Sequence, residues 1–591
     1  MTAPAKRRIE DVNLVVSGQG GDGSLTVSTI LADLLREKGL NVYTERDVLS
    51  RIKGGVAAAG LRASRPVRFG RGDKLELVVS FDIEGIEITA SQLAPDAAVI
   101  YDHSDVPIPP GMLPDGVRLY EAPFARLAVR KLGRILYKNS IAVALATRSL
   151  GIADDEVRRG FEARFNRLGP AILGQNLQAL DLGFELATEM GLLEEVTDDP
   201  SDAATEPAEE QIQITGNQAT ALGFIAAGGR FFAGYPITPA TEILEQLEEW
   251  LPSFGGVVWQ AEDELASVNM VIGAALTGVR AMTSTSGPGI ALMQEGIGHA
   301  GSAEVPIVVV DCQRGGPSTG LPTKPEQSDL NMMAFGGNGD FPRIVLNPGD
   351  PGDCFVIAVE ALNLAERFQC PVYIALDQAL SQNMATVAPF DLEAVVVDRG
   401  KRLTADELSA MAEYGRYSFS EDGVSQYTVA GTQGGMSLVT GNERDEFGRV
   451  STAPGNRKRM VEKRAQKIET ARDELPKARR VGDPSAKVGL IGVGTAYGVL
   501  LETLEDLDRG GVTAQLFQPR TVFPVLDETF EFIDSCDRVY VVEHNATGQL
   551  AGIIAHAGGD SKKMRKVLRY DGLPLRPSDI ATEILELEAQ S

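Results

Sequence analysis

Three α/β domains with mainly parallel sheets are expected from this chain. Short apolar, strand-like runs alternate with segments of helical periodicity along most of its length, and a purely acidic stretch near residue 200 divides the alternation. The 591 residues, 43% hydrophobic and 23% charged, suffice for several hydrophobic cores.

The first domain, residues 1–193, opens with a strand over residues 13–17. The turn Gly18-Gln19-Gly20-Gly21-Asp22-Gly23 follows, then a helix whose apolar Val27, Ile30, Leu31, Leu34 and Leu35 recur at helical spacing. Strand, glycine turn and helix in this order suit a phosphate, because glycines let backbone approach a ligand and a helix N-terminus offers unpaired N–H groups. Gly20 and Gly21 are the candidate contacts; a tight turn in any α/β unit reads equally well, and the spacing is not a dinucleotide fingerprint. Further strands are expected at 56–63, 75–80 and 97–101, and helices at 126–136 and 139–150. Residues 194–210 hold eight acids, no base and two prolines, the composition of a linker.

The second domain, 211–400, begins with a helix over 217–227. An apolar strand, Arg230-Phe231-Phe232-Ala233, then turns into a helix through Gly234-Tyr235-Pro236-Ile237-Thr238-Pro239-Ala240-Thr241-Glu242. Each proline fixes its own φ and biases the residue before it towards extended backbone, so Ile237 and Thr238 are preset. A strand at 256–259, a helix at 262–276, and strands at 280–285 and 306–311 continue the pattern, which places ligands at the carboxyl ends of a parallel sheet. Residues 401–484 are irregular: glycines among polar residues, then a basic segment, 457–480, with ten Arg/Lys against four acids. That segment is expected to be a solvated connector lying on an acidic partner surface. The third domain, 485–591, alternates strands at 488–492, 512–517 and 538–543 with helices at 497–507, 525–533 and from 549.

Acids outnumber bases by 82 to 56, a formal net charge of −26, which argues against nucleic acid or an anionic membrane face as the main partner. Cys312, Cys354, Cys370 and Cys536 are too scattered for a disulfide framework or a cluster motif, so no iron-sulfur cluster is expected in this chain. His103, His299, His544 and His556 lack metal-ligand spacing. No run approaches about 18 apolar residues and the first ten residues lack an apolar stretch, so a cytosolic location is expected, with neither signal nor membrane segment.

Three strings in order carry a family resemblance. They are Tyr235 to Glu242; Gln260-Ala261-Glu262-Asp263-Glu264 with the apolar helix after it; and Thr283-Ser284-Thr285-Ser286-Gly287-Pro288-Gly289, continued by Arg314-Gly315-Gly316-Pro317-Ser318-Thr319-Gly320-Leu321-Pro322-Thr323-Lys324 and Gln327-Ser328-Asp329-Leu330. Together they resemble the 2-oxoacid:ferredoxin oxidoreductases. Residues 17–29 and the string Arg51-Ile52-Lys53-Gly54-Gly55 are similar to the family's gamma domain, and Val542 to Leu550 to its transketolase C-terminal-like domain, so a fused gamma/alpha chain is implied.

The resemblance implies thiamine diphosphate with magnesium, shared with a separate beta subunit that carries the iron-sulfur cluster. Coenzyme A is the implied cosubstrate, ferredoxin the electron acceptor, and a dimer of alpha-beta pairs the assembly. It places Tyr235, Pro236, Ile237, Thr238, Glu264 and Gly287 at the cofactor, and Glu264 and Thr238 in catalysis. Lys324, Arg314, Thr323 and Thr238 fall at the substrate, and Gly20, Gly21, Arg51 and Lys53, with Arg62, at coenzyme A. A carboxyl bonded to the aminopyrimidine ring promotes the tautomer that takes up the thiazolium proton; Glu264 matches that acid, with Glu262 as the alternative. The implied reaction turns 2-oxoglutarate and coenzyme A into succinyl-CoA and carbon dioxide, or the reverse. Pyruvate or another 2-oxoacid is the alternative substrate, and a non-catalytic nucleotide-binding assembly protein the alternative of another class. The sequence departs from the family at Asp422-Gly423-Val424 and at Glu443-Arg444-Asp445-Glu446, loops that bear on the substrate entrance.

Overall fold

Alternating strands and helices resolve into three sheets in the computed structural model, which describes residues 9–48, 55–104, 106–192 and 211–590. The acidic stretch 194–210 and the residues Arg51 and Lys53 lie outside the described residues. Two compact units form, Met1–Gln213 with Asn383–Ala388, and Ile214–Gln382 with Pro389–Ser591.

In the first unit the sheet runs Arg118–Ala122, Leu93–Asp102, Leu75–Ser80, Asp11–Gln19, Val56–Ser64, Asn41–Val48, and is extended by Met384–Val387. The first four are parallel and the pairings beyond them antiparallel, so this sheet is mixed. Leu14 and Val16 of the central strand pack with Val27, Leu31 and Leu35 of helix Ser24–Glu37 and with Ile141 and Leu145 of helix Lys138–Leu150. The helix expected over 126–136 is shorter, Phe124–Leu132, because Gly133 at φ 75 takes the left-handed position that ends it. Arg62, expected at coenzyme A, is instead structural. It is buried in the sheet, donates to both carboxylate oxygens of Asp11 at 2.9 and 2.7 Å, and donates to the Gly70 carbonyl.

The second unit holds two sheets over one apolar core. A seven-stranded sheet runs Thr521–Phe523, Ile344–Leu346, Pro371–Asp377, Ile307–Gln313, Ala281–Thr285, Phe231–Gly234, Val257–Gln260, antiparallel only at its first pairing. A five-stranded sheet runs Arg479–Gly482, Ala514–Gln518, Val488–Ile491, Arg538–Glu543, Met564–Leu568, again antiparallel only at its first pairing. Val309, Val345 and Tyr373 of the larger sheet share a core with Phe517, Val539 and Val541 of the smaller one. Among the described residues no helix is long and apolar enough to cross a membrane.

The basic segment is a solvated connector only on one side. It forms helix Pro454–Ala471, whose Lys463 and Lys467 are buried and both paired with the buried carboxylate of Glu304, Lys463 at 2.7 Å. Arg464 and Arg457 bind Glu443 at 2.7 and 2.5 Å. Lys463, Arg464 and Lys467 are thus neutralised inside the fold, while Arg457, Lys458, Arg459, Lys477 and Arg480 stay exposed. The irregular region before it is held down in the same way: the fully buried Arg444 donates to the Ser302 carbonyl, and Arg416 donates to the Glu304 carbonyl.

Candidate functional site

Three neighbouring parallel strands of the seven-stranded sheet end at the sequence-marked segments, and parallel strands bring such ends together. Phe231–Gly234 runs into the Tyr235 to Pro239 turn, Ala281–Thr285 into the start of helix Gly287–Ala303, and Ile307–Gln313 into Arg314. The turn is held from both sides: the Thr238 carbonyl accepts from Arg314 Nη1 at 2.6 Å, and the Pro239 carbonyl accepts from Asn217 Nδ2 at 2.9 Å. Tyr235 is exposed, while Pro236, Ile237 and Thr238 are half-buried.

Asp263 caps helix Glu264–Leu276, its carboxylate accepting from the Ala266 N–H at 2.7 Å, so Glu264 is the first helical residue. Glu264 is buried and Glu262 is exposed, so the two acids left open by the sequence differ in environment. Among the described residues no donor meets the Glu264 carboxylate. Its neighbour is Gly289: a Cβ there would stand 1.9 Å from Thr285 Oγ1 and 2.6 Å from Glu264 Cγ, so only glycine lets the two helices approach. Gly287, one turn-start earlier, faces Asp329 in the same way, with Oδ2 2.6 Å from where a Cβ would be.

The segment after Arg314 closes on itself. Gly315 N–H donates to the Lys324 carbonyl at 3.1 Å and Leu321 N–H to the Gly315 carbonyl at 2.8 Å, which brings the backbone of Thr323 and Lys324 back to Arg314. Thr323 and Lys324 are half-buried, and the Lys324 stem packs beside Gly572. Arg314 is buried, its Nε has no partner, and burial pushes its pKa down while the charge of Asp329 opposes that.

Behind this loop Gln327 donates from Nε2 to Asp377 and to the Val493 carbonyl, both at 2.8 Å, and from its N–H to the His544 carbonyl at 2.7 Å. Val542 to Leu550 explains itself here. Buried Glu543 accepts from the N–H groups of Leu550 and Ala551, Asn545 donates to the Gln327 carbonyl, and Gln549 donates to the Ser328 carbonyl and accepts from the Asn331 N–H. The C-terminal motif therefore fixes the loop that carries Asp329.

In the first unit the Gly20 N–H is spent on the Gly55 carbonyl at 3.0 Å, and Asp22 pairs with Lys138 Nζ at 2.8 Å. Gly21 takes φ 98 and Gly23, at φ 95, is the N-cap of helix Ser24–Glu37. The amide of Gly20 is thus unavailable to a ligand in this arrangement.

Sequence reasoning missed Asp311. It stands as a lone acid inside the apolar run Ile307–Gln313, a signal that was there to read, and the structure buries it with neither carboxylate oxygen partnered. Among the described residues no group of three or more His, Cys, Asp or Glu side chains is placed to hold a metal ion.

Two family descriptions match the chain: pyruvate flavodoxin/ferredoxin oxidoreductase, thiamine diphosphate-binding, over residues 222–423, and pyruvate ferredoxin/flavodoxin oxidoreductase over residues 13–186. The alpha subunit of 2-oxoacid:ferredoxin oxidoreductase 1 from Aeropyrum pernix is 32% identical over 98% of either chain. The 2-oxoglutarate synthase subunit KorA of Methanothermobacter thermautotrophicus is 34% identical over 64% of this chain and 99% of its own length. Among solved structures, the 2-oxoglutarate:ferredoxin oxidoreductase from Magnetococcus marinus, with 2-oxoglutarate, coenzyme A and succinyl-CoA bound, superposes with a TM-score of 0.91 at 34% identity, covering 98% of this chain and 100% of that one. Fold, motifs and full-length similarity agree, and the chain belongs to the 2-oxoacid:ferredoxin oxidoreductases, as an alpha subunit of that family.

Proposed function

We propose that this chain works with a beta subunit to convert 2-oxoglutarate and coenzyme A into succinyl-CoA and carbon dioxide, passing the electrons one at a time through the beta subunit's iron-sulfur cluster to ferredoxin. The observation that carries the catalytic part is Glu264, the first residue of a helix, packed against Gly289; its carboxylate has no protein donor among the described residues and keeps access to solvent. Its oxygens are therefore open to a ligand, and an aminopyrimidine ring nitrogen is a partner of the right chemistry. The residues present therefore fit thiamine diphosphate, which when bound supplies the electron sink for decarboxylation.

In this reading Glu264 would bond to the aminopyrimidine ring, and the packing of Gly289 and Thr285 fixes where that carboxyl stands. Tyr235, Pro236 and Ile237 would hold the pyrimidine side of the cofactor, and the Thr238 hydroxyl would meet the substrate. Gly287 leaves room beside Asp329. Arg314, Thr323 and Lys324 take the anionic groups of the oxoacid. A planar guanidinium suits one carboxylate and an ammonium the second, and that demand for two cations favours a dicarboxylate over pyruvate. The relatives named for 2-oxoglutarate support the same choice.

The beta subunit is expected to bring magnesium and the diphosphate contacts, on the exposed apolar side chains Val257 and Trp259 of the edge strand and Leu265 and Met270 of the helix beginning at Glu264. The test is turnover of the purified alpha-beta assembly on a panel of 2-oxoacids with coenzyme A and a viologen acceptor. A kcat/KM highest for 2-oxoglutarate is expected; a clear preference for pyruvate would overturn the substrate assignment and leave the reaction class standing.

A further inference from the structure

Two strings that the sequence marks and the reaction does not use, Gln327-Ser328-Asp329-Leu330 and Val542 to Leu550, meet behind the substrate loop. Gln327 is buried and each polar atom of its side chain is engaged. Nε2 donates to Asp377 Oδ2 and to the Val493 carbonyl, both at 2.8 Å, and Oε1 accepts from the His544 N–H at 3.4 Å. Its backbone is held as well: the N–H donates to the His544 carbonyl at 2.7 Å, and the carbonyl accepts from Asn545 Nδ2 at 3.1 Å. Asp377 ends a strand of the seven-stranded sheet, while Val493 and His544 follow the strands Val488–Ile491 and Arg538–Glu543 of the five-stranded sheet. One residue thus pins the loop to the carboxyl ends of three strands in two sheets.

A second hold on the same loop comes from the turn after strand Met564–Leu568. The Arg569 N–H donates to the Glu543 carbonyl at 3.0 Å, next to His544, and Asp571 Oδ1 accepts from the Leu573 N–H at 3.0 Å. Gly572 therefore lies against the loop: a Cβ there would stand 3.0 Å from Leu321 Cδ1 and 3.5 Å from Lys324 Cβ. The loop closes on itself around the same residue, the Lys324 N–H donating to the Leu321 carbonyl at 3.1 Å. The backbone that carries Lys324 is fixed at Gln327, three residues on, and the Lys324 stem is bounded by Gly572.

We propose that the five-stranded sheet takes part in the oxoacid site by way of Gln327 and Gly572, two positioning residues that set where the Lys324 ammonium stands. This rests on the reading of Lys324 as a substrate contact. Neither residue touches the substrate. A lysine ammonium rides on a long flexible stem, and here the stem grows from a loop rich in glycine and proline. It meets one carboxylate in one place only when the backbone beneath it is locked and the stem has a wall, which is what Gln327 and Gly572 supply.

The experiment uses the assembled alpha-beta enzyme with 2-oxoglutarate. Gln327→Glu keeps the size and removes both donations, and Gly572→Ala adds one methyl group against Leu321 and Lys324. Each should raise KM for 2-oxoglutarate by between about 10- and 100-fold, the scale of a misplacement near 1 Å, and leave KM for coenzyme A nearly unchanged. In a Lys324→Ala background neither should raise it by more than about twofold further, because the group they position is gone. Gly511→Ala carries a comparable left-handed strain, φ 84 against 76, with no heavy atom within 4 Å of its Cβ, and should leave both KM values unchanged. Gly572 lies in a turn between exposed Asp571 and Leu573, so that variant keeps the test standing where Gln327→Glu does not assemble. Effects fully additive with Lys324→Ala, a KM rise confined to coenzyme A, or equal rises in Gly511→Ala and Gly572→Ala overturn the proposal. An unchanged KM for 2-oxoglutarate in Lys324→Ala sinks the substrate reading itself, whereas a raised KM there with unchanged values in Gln327→Glu and Gly572→Ala sinks only this inference.

Discussion

Glu264 and Glu262 are two residues apart and chemically alike, yet the fold treats them oppositely. The Asp263 cap starts the helix at Glu264, which turns that side chain inward against Gly289 and leaves Glu262 in solvent. Replacing Glu264 by Gln keeps the size and removes the acid, so turnover is expected to fall by about 10²-fold or more, the scale for a positioned acid or base. Glu262→Gln should leave it within a small factor, and steady-state kinetics on both variants decides the matter. Lys324 sets a second expectation at this scale. Losing one partly buried charge-assisted contact costs about 1.5 to 3 kcal/mol. Lys324→Ala should therefore raise KM for the 2-oxoacid by roughly 10- to 150-fold and leave KM for coenzyme A nearly unchanged. A raised KM for coenzyme A instead would remove Lys324 from the oxoacid site.

At the scale of elements, helix Pro454–Ala471 shows how an apparently partner-facing charge run becomes part of a core. Glu304 follows the last turn of helix Gly287–Ala303, and its carboxylate is wedged between Lys463 and Lys467, all three fully buried. Burial disfavours the charged carboxylate, but the two ammonium groups outweigh it and hold the Glu304 pKa far below the usual carboxylate range. Glu304→Gln removes the counter-charge of two buried lysines whose pKa values burial already pushes down, Lys463 to about 7, and breaking such a group costs about 3 to 5 kcal/mol. Equilibrium denaturation should show that loss. On the acid side the sign follows from the depressed Glu304 value: its contribution is present above the ordinary glutamate value of 4.5 and is lost progressively as pH falls below it. Acid titration of the wild type should therefore lose more stability below about pH 4.5 than the same titration of Glu304→Gln. Equal losses in the two proteins would show that the triad does not carry the acid sensitivity.

For the whole molecule, the carboxyl proposed to act in catalysis follows an edge strand with exposed Val257 and Trp259, where a beta subunit is proposed to dock. The isolated chain is therefore expected to be inactive with any 2-oxoacid, coenzyme A and viologen, and to gain activity on addition of the beta subunit. Viologen reduction by the chain alone, shown pure by mass spectrometry, would be incompatible with a shared site.

Much of this was legible in local sequence, because strand and helix periodicity, glycine turns and proline-fixed backbone are properties of neighbouring residues. The strand-turn-helix of Gly234 to Glu242 and the start of the helix at Gln549 follow from such patterns. Family strings carried the rest of the site list. What the sequence could not express was pairing between residues far apart in the chain. Arg62 looked available and is locked to Asp11 across the sheet; Lys463 and Lys467 looked solvated and are neutralised by Glu304, more than 150 residues away. Asp311 drew no notice in the sequence, and only its burial with both carboxylate oxygens unpartnered pushes its pKa up. Charge depends on what surrounds a group in three dimensions, so the tertiary structure alone decided which of these acids and bases remain free to act.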